Sequence, residues 1–271
     1  MKDPFEEIKK ISSEMNRLVR ESMSPMVQFD TRINEIRNIL SEPTRVFRRL
    51  ALNLPDYIKD PEKRDSLTKD IINYVSSKGW TFSEIIPFRV LIDPELLKLN
   101  ADDLDSFFLE LYAEGVYEGV KEHTIDKISI KHKPLLEEVF FNIDHEKYKI
   151  AIPSLILIIE GEISEITENN AMGWNLVNDW RLRLEQNDMR EVDEFLYAKT
   201  LALTNFLSEH LFTSNKFWYE RKPFVNRNWV MHGRDDSELW TVTEVYKLIN
   251  FLETIVEIKQ KLRLRSIIIS S

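Results

Sequence analysis

The segment Phe224-Val225-Asn226-Arg227-Asn228-Trp229-Val230-Met231-His232-Gly233 holds the residue types best suited to chemistry. Arginine is a permanent cation whose planar fork of donors suits charge developing on an oxyanion. Histidine is the side chain suited to moving a proton near neutral pH. On a straight helix five residues turn through roughly 500°, so Arg227 and His232 would lie about 140° apart, on different faces. They would not pair tightly within one copy. Asn228 and His232, four apart, share a face, which lets Asn228 orient the imidazole. Gly233 is expected to end the helix in a left-handed cap. His232 would then sit in the last turn, where the helix dipole favours the protonated ring.

Each of these residues also has a plainer reading. His232 could bond a neighbouring carbonyl, and Arg227 could pair with a carboxylate such as Glu160. Glu160 either positions Arg227 or is a buried acid satisfied by a backbone donor or a structural arginine. Lys216, Trp218, Tyr219, Arg221 and Lys222 interleave cations with aromatics. That suits stacked bases and phosphates, or else a helix with one buried aromatic face and solvated basic ends. His123, His132 and His145 lack the spacing of metal ligands, so no metal or other cofactor is expected. The chain has no cysteine, which excludes disulfides, thiolate zinc sites and cysteine nucleophiles. It carries no glycine-rich phosphate loop, nucleophile elbow or kinase signature. Asp102, Asp103 and Asp105 open a helix, where carboxylates complement the dipole.

The elements that must position these residues are helical. The chain is 43% hydrophobic and 31% charged with only six glycines, which disfavours a turn-rich β fold and points to an all-α protein. Apolar residues at three- and four-residue spacing predict helices over Pro4–Ser22, around Ile33–Leu40 and over Asp65–Val75. Gly79 to Pro94 is apolar without helical period and reads as a buried irregular connection with room for a short strand. Further helices are expected over Asp102–Val120, from Pro134 to Asn142, Tyr148–Thr167, Asp193–Phe212, Phe217–His232 and Thr241–Leu264. Thr241 and Glu244 form a capping box for the last of these.

The R-x-x-x-x-H spacing of Arg227 and His232, with polar Asn228 after the arginine, resembles the signature of HEPN (higher eukaryote and prokaryote nucleotide-binding) ribonucleases. Tyr148-Lys149-Ile150-Ala151-Ile152-Pro153-Ser154-Leu155, leading into Ile159-Glu160-Gly161, resembles bacterial and phage proteins that carry this domain, and Gly79-Trp80 fits the same group. The resemblance spans about residues 100 to 265. It implies a helical N-terminal region over 1–100, sensing a trigger or holding the nuclease inactive, and an up-and-down helical bundle over 101–271. It further implies a homodimer that cuts RNA without metal, with Arg227, His232 and Asn228 catalytic and Glu160 and Asn226 in support. The family's setting in toxin–antitoxin modules and phage defence implies an antitoxin or trigger protein as partner. The alternative is a catalytically silent scaffold that binds a partner protein or nucleotide through the same cleft.

The net charge of −9 argues against a broad nucleic-acid surface, though not against an enzyme that cuts one exposed loop. The N-terminus carries charge where a signal peptide needs an apolar run, and Ile150–Ile159 is too short to span a bilayer, so a cytoplasmic protein without a membrane partner is expected.

Overall fold

The computed structural model describes residues 60–186, 194–214 and 220–270, and among them the chain is all helical with no strand. The helices are α1 (Pro61–Ser77), α2 (Ala101–Leu111), α3 (Tyr117–Lys127), α4 (Lys133–Asp144), α5 (Tyr148–Thr167), α6 (Trp174–Gln186), α7 (Glu194–Phe206), α8 (Arg227–Met231) and α9 (Val242–Ser270). The helices expected over Pro4–Ser22 and around Ile33–Leu40 lie outside the described residues. No described helix is long and apolar enough to cross a membrane.

The described residues form two compact units, one of 60–71 and 84–122, the other of 72–83 with 123 onward. The apolar connection after Gly79, whose part from Glu84 on lies in the first unit, contains no strand. Pro87 and Pro94 break any ladder, and the backbone instead makes 3₁₀ turns at Phe88–Val90 and Pro94–Lys98. α2 is capped by Asn100, whose side chain accepts from the Asp103 amide, and it buries Leu104, Phe108 and Leu111. The single helix expected over Asp102–Val120 is broken by a π-helical turn at Tyr112–Val116, where Gly115 has φ +112°. Only glycine takes that angle without strain.

The second unit carries the motif. In it α5 packs against α4, α6, α8 and α9, and α5, α6, α7 and α9 touch in a closed ring. α5 can sit at this hub because Ala151, Ile152, Leu155, Ile156, Ile158, Ile159 and Ile163 bury most of its circumference. α6 was not foreseen in the sequence. Its Leu176, Val177, Trp180 and Leu184 are buried at helical spacing between charged neighbours.

α9 begins with the expected capping box: the Glu244 amide bonds Thr241 Oγ1 at 3.3 Å, and the Thr241 amide bonds Glu244 Oε2 at 3.0 Å. Beyond it, α9 is buried almost all round, so its polar residues meet protein rather than water. Asn250 accepts from the Thr81 amide at 2.6 Å and the Thr81 hydroxyl at 2.8 Å. Lys247 lies over the buried ring of Trp80, 5.6 Å from its centroid. Gly79 starts this docked segment at φ +88°, and a Cβ there would stand 3.1 Å from Phe206.

Further along α9, His123 Nδ1 lies 2.7 Å from Glu253 Oε1, and Lys199 grips Glu257 at 2.6 Å. Lys259 bonds Glu162, and its Nζ lies 2.6 Å from Ser129 Oγ. His132 Nδ1 completes this last cluster 2.6 Å from Glu162 Oε1. A charge taken out of water must be paired, and these partners come from elements far away in sequence.

Candidate active site

The motif sits on α8, a single turn. Residues 220–226 are not helical, so the helix expected over Phe217–His232 is cut to its last turn. Pro223 disfavours helical backbone at Lys222. Asn226 takes extended φ −113° and ψ 127° as the N-cap, its Oδ1 accepting from the amides of Asn228 at 3.1 Å and Trp229 at 3.3 Å. Its Nδ2 donates to the carbonyls of His210 and Thr213, both at 3.0 Å. Asn226 is buried, and both ends of its amide are used. Burial and the nearby Lys222 charge lower the pKa of the His210 imidazole.

At the other end Gly233 takes φ +63°. The amides of Gly233 and Arg234 return to the carbonyls of Val230 at 3.1 Å and Trp229 at 2.7 Å, a Schellman-type stop. His232 is the C-cap residue and is exposed. Arg227 and His232 therefore mark opposite ends of one turn, about 7.5 Å apart along its axis.

Arg227 is held from α5. Its Nε and Nη2 each lie 3.1 Å from Glu160 Oε2. The other oxygen, Oε1, accepts from the Gly173 amide at 2.6 Å. Glu160 thus has both a backbone donor and an arginine, and it fixes where the guanidinium points. Nη1 lies 3.3 Å from Asn228 Oδ1. Asn228 turns its side chain to Arg227 and reaches His232 through the backbone, its carbonyl accepting the His232 amide at 3.1 Å. Guanidinium carries five N–H groups, so these contacts leave two for an incoming anion.

Arg227 also lines an open depression of about 270 Å³, together with Met172, Gly173, Trp174, Asn175, Phe212, Ser214 and Asn228. The loop carrying Met172 and Gly173 is itself pinned. Asn169 bonds Asp179 at 2.9 Å, and Arg183 bonds the Thr167 carbonyl at 2.6 Å.

Arg221 braces the motif from outside. Its Nε and Nη2 bond Asp235 at 2.7 and 3.3 Å, and Nη2 also reaches Glu244 at 3.3 Å. Trp240 Nε1 adds a bond to Asp235 at 2.8 Å. Burial alone would lower the guanidinium pKa, but Asp235 and Glu244 raise it. Lys222 donates to the Glu209 carbonyl at 3.1 Å. Lys216, Trp218 and Tyr219 lie outside the described residues.

No protein-family model matches the chain, and comparison with curated proteins and with solved structures found no match. The assignment of a function therefore rests on the geometry of the site. In that geometry Arg227, Asn228, Glu160 and Asn226 come together, with His232 at the far end of the same turn. Sequence reasoning missed Gly173, Trp174, Phe212 and the Asp235–Trp240 brace. The sequence signal for the loop was the run Asn169-Asn170-Ala171-Met172-Gly173-Trp174, which has turn residues ending on an aromatic.

Proposed function

We propose that this chain is an endoribonuclease of the HEPN kind, working without metal and as a homodimer. The observation that carries the reading is the presentation of Arg227. A carboxylate on the hub helix holds its guanidinium at the rim of an open depression with two donors to spare, and an exposed histidine ends the same turn. In the reaction, a ribose 2′-oxygen bonds the adjacent phosphorus and the bond to the 5′-oxygen breaks. The 2′ proton must leave and the 5′-oxygen must gain one. Two copies of His232 at a dimer seam supply base and acid, while Arg227 stabilises the extra negative charge on the phosphate. Exposed Ile150 and Leu157 on α5 and Met231 on α8 offer the second copy an apolar surface.

The test is to incubate purified protein with end-labelled single-stranded RNA in the presence of a chelator, and to induce expression in cells alongside. The expected products carry 2′,3′-cyclic phosphate and 5′-hydroxyl ends. His232→Ala and Arg227→Ala should lower the rate by about 10²–10⁴-fold and abolish growth arrest. Cleavage at equal rate by all three proteins would overturn the reading.

A second reading, a catalytically silent binding module, is favoured by the Glu160 carboxylate against Arg227, which offsets the cation. Under it, wild-type protein cuts no RNA, and Arg227→Ala alters only partner binding.

A further inference from the structure

We infer that the depression beside Arg227 is a nucleobase subsite, in which one unpaired base of an RNA strand stacks on Trp174 while its neighbouring phosphate meets Arg227. The inference rests on the ribonuclease reading and adds to it the part of the substrate recognised.

Shape comes first. At about 270 Å³ the space falls short of the ~300–1,000 Å³ of pockets that enclose a whole drug-sized ligand. It suits one ring system laid against an open wall. The apolar part of that lining is left wet: Trp174 is 44% exposed and Met172 70%, while Phe212 is buried. Two large apolar side chains exposed in one depression give a flat ligand something to cover. The backbone produces this exposure. Gly173 takes φ +58°, and apart from its two chain neighbours no atom lies within 4 Å of where a Cβ would be, so no other element covers the turn. Its amide is committed to Glu160, which ties the turn to the carboxylate that aims Arg227.

The polar lining selects among flat ligands. Besides one cation it contains Asn175 and Asn228, the latter with its Oδ1 already accepting from Arg227. A primary amide offers a donor next to an acceptor, which matches the paired groups on a base edge. An indole face serves any base by stacking, which contributes about 1–3 kcal/mol per base. A flat heterocycle attached to a phosphate uses all three features together. An aliphatic or acidic peptide side chain uses only one of them. The acidic chain as a whole gives little general phosphate attraction, so a stacking subsite is a means of holding a strand at this one point.

The experiment measures binding of labelled hexaribonucleotides to full-length His232→Ala protein, which holds the strand uncut. Three ligands are compared: a base-bearing hexamer, a hexamer with abasic sugars, and nucleoside monophosphates. Trp174→Ala should weaken the base-bearing hexamer by about 5- to 100-fold, the fold-change that corresponds to one stacked base, and leave the abasic hexamer unchanged. Trp174→Phe should restore most of the loss, which excludes misfolding as the cause. Arg227→Ala should weaken both hexamers. Equal binding of the base-bearing hexamer by wild type and Trp174→Ala overturns the subsite. If Arg227→Ala still weakens both hexamers in that case, the ribonuclease reading stands. Nucleoside monophosphates binding as tightly as the hexamer also overturn the subsite as a strand-holding site. A Trp174 effect in a protein that cleaves no RNA keeps the subsite and removes the nuclease.

Discussion

Glu160 and Glu162 stand two residues apart on the same helix, and their surroundings have little in common. Glu162 is fully buried between Lys259 and His132, with the Ser129 amide at 3.2 Å. Burial alone would raise its pKa, but the bonds from His132 and Lys259 hold it below the ordinary value. Glu160 is mostly buried, its side chain 16% exposed, and it pairs with Arg227, 19% exposed, at the rim of the depression. A buried charge stripped of every partner is expensive, and the cost falls where one side of the pair still reaches water. The same residue type on the same element therefore stabilises the fold at one position and aims a cation at the other. Substitutions around Glu162 should report on stability, and those around Glu160 on function.

The largest effect should come from Glu162→Ala, which strands Lys259 and His132. A loss of about 3–5 kcal/mol in chemical denaturation is expected, and adding Lys259→Met should recover part of it. If Glu162→Ala costs no more than Glu160→Ala, the contrast between the two carboxylates collapses. Next comes Asn226→Asp. Aspartate caps a helix as well as asparagine does, but it turns an oxygen toward the His210 and Thr213 carbonyls. About 2–3 kcal/mol should be lost, although Asp keeps the capping acceptor. A tolerated Asp would mean that only the cap matters.

The pH dependence sharpens the contrast further. Burial alone would raise the Glu165 pKa, but bonds from Ser129 and Lys131 and the charge of Lys259 bring it to about 2. A depressed acid stabilises the fold above its unfolded value near 4.5, and that contribution is lost as pH falls toward about 2. Glu165→Gln should therefore cost about 1–2 kcal/mol at neutral pH after allowance for screening, and the difference should vanish in acid. Glu253 has the opposite sign. Burial raises its carboxyl despite His123, with Glu257 adding to the push, so its ionisation destabilises the fold as pH rises above about 4.5. Glu253→Gln should flatten that slope. Equal slopes in wild type and variant, followed by thermal melting, would show that neither carboxylate shifts on folding.

The smallest stability effect belongs to the motif. Glu160→Gln keeps an acceptor for the Gly173 amide and should cost about 1–2 kcal/mol, and His232→Ala should stay within about 0.5 kcal/mol, while both lower RNA cleavage. A large loss of stability in either would make the motif structural.

The contrast also explains what could be read from sequence. α5 and α9 were legible because apolar periodicity and a capping box are local signals. The use of the polar residues of α9 was not. Asn250, Glu253, Glu257 and Lys259 carry the pattern of a solvated face, and only the arrival of Thr81, His123, Lys199 and Ser129 turns that face inward. α6 escaped notice because its buried Trp180 and Leu184 are separated by arginines. In the site, the pairing of Arg227 with Glu160 was one of two stated possibilities, and the left-handed Gly233 was expected. The short α8 was misread as the end of a long helix because the amphipathic pattern of 217–232 outweighed Pro223 and the cap at Asn226. The depression was invisible because three separate segments converge to make it.

The brace from Arg221 to Asp235 closes the chain between them into a ring, with the motif as its far arc. Such a ring is a macrocycle without a covalent bond, and the entropy of closing it is lost when the clasp forms rather than when substrate arrives. Asp235 is 2% exposed and Arg221 20%, so salt screens this clasp little and it opens by local unfolding. With the clasp removed by Asp235→Asn, the amides of Trp229 and Val230 should exchange with solvent faster, while those in the middle of α5 keep their pace.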